Sequence, residues 1–153
     1  MFSTVTDGSR PQASIYGAYF GGQLIGIFTA VVLEGLRRGN KNTALAKSAL
    51  WGCAMQATGF GFTMPIYAIV HLLTSRTAGP RSPALSEDVR MSDLHMVRAL
   101  PAAMFFGYVI PAILMAVPIP WNKLHQWLGG LWQGFPVWVV LIQYLIASRH
   151  RRR

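Results

Sequence analysis

Charge is scarce in this 153-residue chain: 12% of its residues are charged, five are acidic, and there is one cysteine. Soluble domains carry about 25% charged residues. The single cysteine, Cys53, excludes a disulfide framework and a multi-cysteine metal site. It lies inside an apolar run and reads as a small buried hydrophobe rather than a reactive thiol. No Gly-rich phosphate loop, HExxH motif or GxSxG serine elbow occurs. No charged ring or filter motif supports a channel, and no repeat of 20–50 residues is visible. Glu87, Asp88 and Asp93 form the one acidic cluster. It lacks the tight aspartate spacing with which membrane prenyltransferases hold magnesium diphosphate, and it reads as a solvated loop. No metal and no other cofactor is expected.

The charges that are present leave long gaps. Uncharged runs of 23, 28, 24 and 25 residues separate Arg10 from Glu34, Lys47 from Arg76, Arg98 from Lys123, and Lys123 from Arg149. A helix needs about 20 mostly apolar residues to cross a hydrocarbon core roughly 30 Å thick. The spacing therefore predicts an all-α, polytopic transmembrane bundle of about four helices, over 14–33, 46–73, 99–117 and 127–147. A polar segment, 1–13, would precede it, with Ser14 as the first N-cap. The start lacks a basic region followed by an apolar stretch, so the first run reads as a retained membrane helix. An exposed loop, 74–98, would carry one helical turn near Ser86–Ser92, and a basic tail, 149–153, would follow. Pro65 and Pro111 are expected to bend their helices, Pro101 to sit in a first turn, and Pro118 and Pro120 to stop the third. Trp121, Trp127 and Trp132 suit a membrane–water boundary.

The net charge of +9 is concentrated in Arg37, Arg38, Lys41 and Lys47 and in the tail Arg149–Arg153. Such clusters fit anionic lipid headgroups; nothing resembles a nucleic-acid module, so no nucleic-acid partner is expected. Four crossings place both termini and the 74–98 loop on one side, which the positive-inside rule makes cytosolic. The four basic residues of the first connector oppose that arrangement, and a half-inserted or broken second helix would remove the conflict. Gly17/Gly21 and Gly22/Gly26 are GxxxG pairs that could admit a second helix, from another copy or a partner membrane protein.

Polar residues inside apolar helices usually face protein or water. In the second helix Gln56, Thr63, Tyr67 and Thr74 fall within about 40° of one face, with His71 close by. Gln23 and Glu34 share a face of the first helix. Three readings remain open: interhelical hydrogen bonding, with Glu34 paired to Arg37 or Arg38; a general acid, Glu34, with Tyr67 and His71 lining a lipid-accessible pocket; or a proton or solute path.

Three stretches carry a resemblance: GFGFTMPIYAIVHLLTSRTA from Gly59, LPAAMFFGYVIPAILMAVP from Leu100, and WQGFPVWVVLIQ from Trp132. Their proline and aromatic spacing resembles fungal polytopic membrane proteins of secondary-metabolite clusters, a transmembrane terpene cyclase-like group, matched here in its N-terminal part. The resemblance implies meroterpenoid or polyketide-terpenoid biosynthesis, an isomerase or lyase acting on a prenylated hydrophobic substrate, and a metal-independent cyclisation started by acid. Aromatic faces would stabilise the cation. The resemblance assigns no catalytic residue; on the general-acid reading of the polar faces, Glu34, Tyr67 and His71 are the candidate catalytic residues. Gln23, Gln56, Phe60, Thr63 and Tyr108, with Phe62, are the candidate pocket. The alternative is a non-catalytic membrane accessory, scaffold or small transporter. An endomembrane, such as the endoplasmic reticulum, is the expected location. A direct check is solubility: the purified chain should need detergent, and a compact monomer in plain buffer would contradict the membrane reading.

Overall fold

The structure, a computed structural model, describes residues 11–76, 85–117 and 121–152. Residues 1–10 of the expected polar segment 1–13, the prolines Pro118 and Pro120 and the middle of the 74–98 loop lie outside the described residues, as does the side chain of Ser14. Eight α-helices are described: α1 Pro11–Gly35, α2 Ser48–Thr58, α3 Phe60–Thr74, α4 Leu85–Val89, α5 Leu94–Met104, α6 Ile110–Ala116, α7 Asn122–Gln133 and α8 Phe135–Arg151. Among the described residues there is no strand beyond an isolated bridge between Arg37 and Met91. The all-α expectation holds. α1 begins at Pro11, ahead of Ser14, so Ser14 is not its N-cap.

The second apolar run departs most from expectation. It is two helices, not one, and they double back at Gly59. Trp51 and Tyr67 are 16 positions apart, yet their ring centroids lie 5.1 Å from each other. An unbroken helix would separate them by about 24 Å. The break falls at Gly59, whose φ of 88° and ψ of 147° suit glycine. Pro65 sits inside α3 without ending it. At the tip the Thr58 and Thr63 hydroxyls lie 2.7 Å apart, so that one donates to the other while the second donates to the carbonyl four residues before it, Ala54 or Gly59. Hydroxyls thus supply partners where the backbone ladder is interrupted, as apolar surroundings require. The reversal also dissolves the expected single polar stripe, since Gln56 lies on α2 while Thr63, Tyr67 and Thr74 lie on α3.

α5 and α6 are joined by a π-helical segment, Phe105–Val109. Pro111 lacks the N–H that would bond back to Gly107, and such a gap favours a local widening of the helix. The combined helix starts at Leu94, five residues before the expected Ala99, because the Asp93 side chain accepts from the backbone N–H of His95 and Met96. Pro101 is therefore inside the helix rather than in its first turn. The fourth run is also divided: α7 and α8 meet at Gly134 with a bend of 62°. Two helical stretches, Ile15–Gly35 and Leu94–Ala116, are long and apolar enough to cross a membrane, and a third if the bent α7–α8 pair is one span.

α5 and the π segment lie along α8. Ala99, Ala103 and Gly107, spaced by four, are buried and face Val139, Gln143 and Ala147. A Cβ on Gly107 would lie 2.8 Å from the Val139 backbone nitrogen, so only glycine admits this approach. The buried Gln143 amide donates to the Met96 carbonyl at 2.9 Å. Arg151 pairs with Asp93 at the same end. α1 packs Leu24, Phe28 and Val32 onto this pair, with Phe28 edge-on to Phe135 at 5.1 Å. Its Val31 points into a second cluster with Leu45, Met55 and Tyr67 of the hairpin. Cys53 is exposed on α2 rather than buried. Trp121 and Trp127 are exposed, whereas Trp132 packs against Tyr108 and Phe135.

Gly59→Ala should cost about 1–3 kcal/mol through backbone strain. Gly61→Ala, in a helix with open space around its Cβ, should stabilise by about 0.5–1 kcal/mol. Thermal unfolding in detergent checks both, and a Gly59→Ala chain as stable as the parent would refute the reversal.

Candidate functional site

The hairpin returns α3 to the end of α1. Ser75 donates to the buried Asn40 side chain at 2.7 Å, which closes the base of the hairpin. There Glu34 of α1 meets His71 of α3, with Oε1 3.8 Å from Nε2. Its other oxygen, Oε2, is 2.9 Å from Arg37 Nε and accepts from Asn40 Nδ2 at 3.3 Å. Asn40 also donates to the Glu34 carbonyl at 2.9 Å. Arg37 is thus the ion-pair partner, while Arg38 turns away to Glu87 at 2.8 Å. Oε1 faces His71 and has no closer partner among the described residues.

Tyr67 lies one turn before His71, with ring centroids 6.3 Å apart. Its hydroxyl and His71 Nε2 are buried and have no hydrogen-bond partner among the described residues. Buried polar atoms are normally satisfied, and an orphaned one costs about 1–3 kcal/mol. Two such atoms beside one carboxylate form a small polar site with unused hydrogen-bonding capacity. Among the described residues no three His, Cys, Asp or Glu side chains are placed to hold a metal ion.

The structure brings the three candidate catalytic residues together but disperses the candidate pocket. Gln23 is exposed on α1, and Gln56 is half-buried on α2. Thr63 is committed to the hairpin tip. Tyr108 is in the other cluster, where its hydroxyl donates to the Gly21 carbonyl at 2.8 Å and its ring meets Phe135 edge-on at 4.8 Å. Phe60 touches both clusters, and Phe62 is exposed.

A different cavity opens between α1 and α5. It has a volume of about 510 Å³ and is walled by Ile25, Thr29 and Leu33 on one side and by Val97, Leu100, Pro101, Met104, Phe105 and Val109 on the other. That size suits a small apolar ligand. Thr29 is its one hydroxyl. Leu33 directly precedes Glu34, but the carboxylate faces Arg37 and His71 and does not line this wall. Apolar cavity and polar cluster therefore occupy adjacent faces of α1. The four-residue spacing of Ile25, Thr29 and Leu33 is visible in the sequence; the facing wall is not, because nothing local marks α1 and α5 as neighbours.

The family model of the CtvD domain matches residues 1–151. The chain is 30% identical to the terpene cyclase ascI of Acremonium egyptiacum, over 96% of its own length and 38% of that protein. It is 33% identical to the terpene cyclase janA of Penicillium janthinellum, over 95% of its length and 40% of that protein. It is 27% identical to the terpene cyclase ctvD of Aspergillus terreus, over 97% and 42%. The chain thus spans about two fifths of the length of the curated relatives it matches. No solved structure matches it. The chain belongs to the CtvD-domain family and is similar to fungal proteins named terpene cyclases.

Proposed function

We propose that this chain contributes to a membrane-embedded, metal-independent cyclisation of an epoxidised prenyl chain, in an endomembrane such as the endoplasmic reticulum. The observation that carries the reading is the convergence of Glu34 with His71 and Tyr67 from two helices, with two buried polar atoms left unsatisfied. The relatives' chemistry, as their names state it, is terpene cyclisation.

Glu34 Oε1 faces His71 Nε2 at 3.8 Å, an ion-pair distance too long for a hydrogen bond, while Arg37 and Asn40 hold the other carboxylate oxygen. The Tyr67 hydroxyl is free to donate to an epoxide oxygen. Transfer of a proton from Glu34, acting as a carboxylic acid, to that oxygen breaks a carbon–oxygen bond and leaves a carbocation and an alcohol. A neighbouring alkene supplies the electron pair for the new carbon–carbon bond. The final cation loses a proton, so the product is an isomer of the substrate. Trp51, packed edge-on against Tyr67, gives the site aromatic surface that can stabilise positive charge. The cavity between α1 and α5 is where the apolar tail would lie.

A second reading, a non-catalytic scaffold, draws on α1. Cβ atoms on Gly22 or Gly26 would meet nothing within 4 Å, so that face is open to another helix. Product analysis separates the two. In host membranes supplied with epoxy-prenyl substrates, Glu34→Gln should lower turnover by about 10²–10⁴-fold, the usual contribution of a positioned acid. Unchanged turnover would remove Glu34 from the mechanism. No product from any form of the chain would favour the scaffold.

Tyr67→Phe should reduce turnover without lowering the thermal midpoint, because it deletes an unsatisfied hydroxyl. Tyr108→Phe should cost about 1 kcal/mol of stability by losing its bond to Gly21. Equal destabilisation of both variants would show that the Tyr67 hydroxyl is already satisfied in the fold.

A further inference from the structure

The reversal at Gly59 gathers the basic residues at one end of the molecule. The connector 36–47 folds beneath α1, since a Cβ on Gly35 would lie 2.7 Å from the Leu45 carbonyl oxygen. Backbone bonds from Arg38 to Arg90 and from Ser92 to Leu36 fasten the segment before α5 to the same end. Arg151 reaches Asp93 there from the end of α8. Of the described Lys and Arg, only Lys123 lies elsewhere, near the far end of α6, where His125 contacts the Met115 carbonyl. The four described acids, Glu34, Glu87, Asp88 and Asp93, are also at the basic end. Three of them pair with Arg37, Arg38, Arg90 and Arg151.

A surplus of positive charge remains. Lys41, Lys47, Arg98, Arg149 and Arg152 are exposed and enter no ion pair among the described residues. Between the first turns of α5 and the last turns of α8 lies a recess of about 160 Å³ lined by His95, Arg98, Ala99, Ile146 and His150. The hairpin cannot cross a bilayer in one direction. α2, with 11 residues, and α3, with 15, are about 16 and 22 Å long, both shorter than a hydrocarbon core of roughly 30 Å.

We propose that this end is a binding face for the phosphates of anionic lipid headgroups, and that it fixes the chain's orientation. The face lies on the anionic, cytosolic leaflet. α2 and α3 enter from it as a re-entrant hairpin, and Lys123 with the exposed Trp121 and Trp127 lies at the opposite surface. This arrangement rests on the membrane reading above. It removes the conflict between the first connector and the tail, because both are now on one side. The recess between α5 and α8 is the seat for one headgroup phosphate. Each juxtamembrane basic residue contributes about a fivefold preference for an anionic surface.

The test uses the full chain carrying one new cysteine, at Lys41→Cys or Lys123→Cys, with the parent chain as background for Cys53. In sealed microsomes a membrane-impermeant maleimide should label Lys41→Cys at least about tenfold more than Lys123→Cys until the membrane is permeabilised. Reversed or equal labelling overturns the proposal. Release of the chain by alkaline carbonate would instead refute the membrane reading itself. Reconstitution tests the lipid: orientation should be biased in phosphatidylcholine vesicles containing phosphatidylserine and mixed in pure phosphatidylcholine. Combined Arg98→Gln, Arg149→Gln and Arg152→Gln should abolish the bias, with an unchanged thermal midpoint confirming the fold. The same orientation of the parent chain in both vesicle types overturns the role of the headgroups.

Discussion

The arrangement depends on one backbone constraint, the reversal of the chain at Gly59. A residue with φ of 88° and ψ of 147° cannot continue a helix, and side chains resist that conformation. The turn sends α3 back along α2, seals the Trp51–Tyr67 contact and returns His71 to the level of Glu34. Had the run continued straight, His71 would lie about 35 Å along the axis from Ser48, on the far side of a bilayer. The polar cluster and the gathering of basic charge both follow from this turn.

The second support is close packing between apolar helices. Inside lipid there is little hydrophobic gain in joining helices, so contact distance decides which of them associate. Ala99, Ala103 and Gly107 let the α5 backbone reach α8, and Gln143 and Arg151 fix the register by specific polar contacts. Asp93 serves twice, as the cap of α5 and as the partner of Arg151. α1 then rests on both supports, with Phe28 and Val32 toward the α5–α8 pair and Val31 toward the hairpin. That position brings Glu34 to the hairpin base and Thr29 to the apolar cavity.

Much of this was legible in the residues, and the misses have definite causes. The uncharged runs gave an all-helical chain, and the single acid at the end of the first run pointed to Glu34 and to a pairing with Arg37 or Arg38, of which the structure takes Arg37. The GxxxG pairs drew attention to Gly22 and Gly26, whose faces are open, while the seam that packs is Ala99-xxx-Ala103-xxx-Gly107. Both fit one small-residue pattern, and the pattern does not say which face has a neighbour. Proline attracted the expected bend of the second run to Pro65, yet a helix tolerates that loss of one hydrogen bond more readily than a positive-φ glycine. Gln56 and Thr63 parted because the helical wheel assumed one unbroken second helix, whereas Gln23 and Tyr108, chosen on other helices, lie outside the cluster because spacing does not say which helix faces pack together.

By itself the sequence determined composition-level facts: helices, because long uncharged runs must satisfy their own backbone in an apolar setting, and a basic excess that seeks anionic surroundings. It also fixed the small set of polar groups available for chemistry. Only the tertiary structure decided how the second run is divided, which helices touch, and that Glu34, Tyr67 and His71 share one site while Gln23 and Tyr108 do not. The physical reason is range. Hydropathy and turn preference are properties of a few neighbouring residues, whereas a site joining positions 34 and 71 depends on the direction of a chain reversal and on backbone contacts between distant segments.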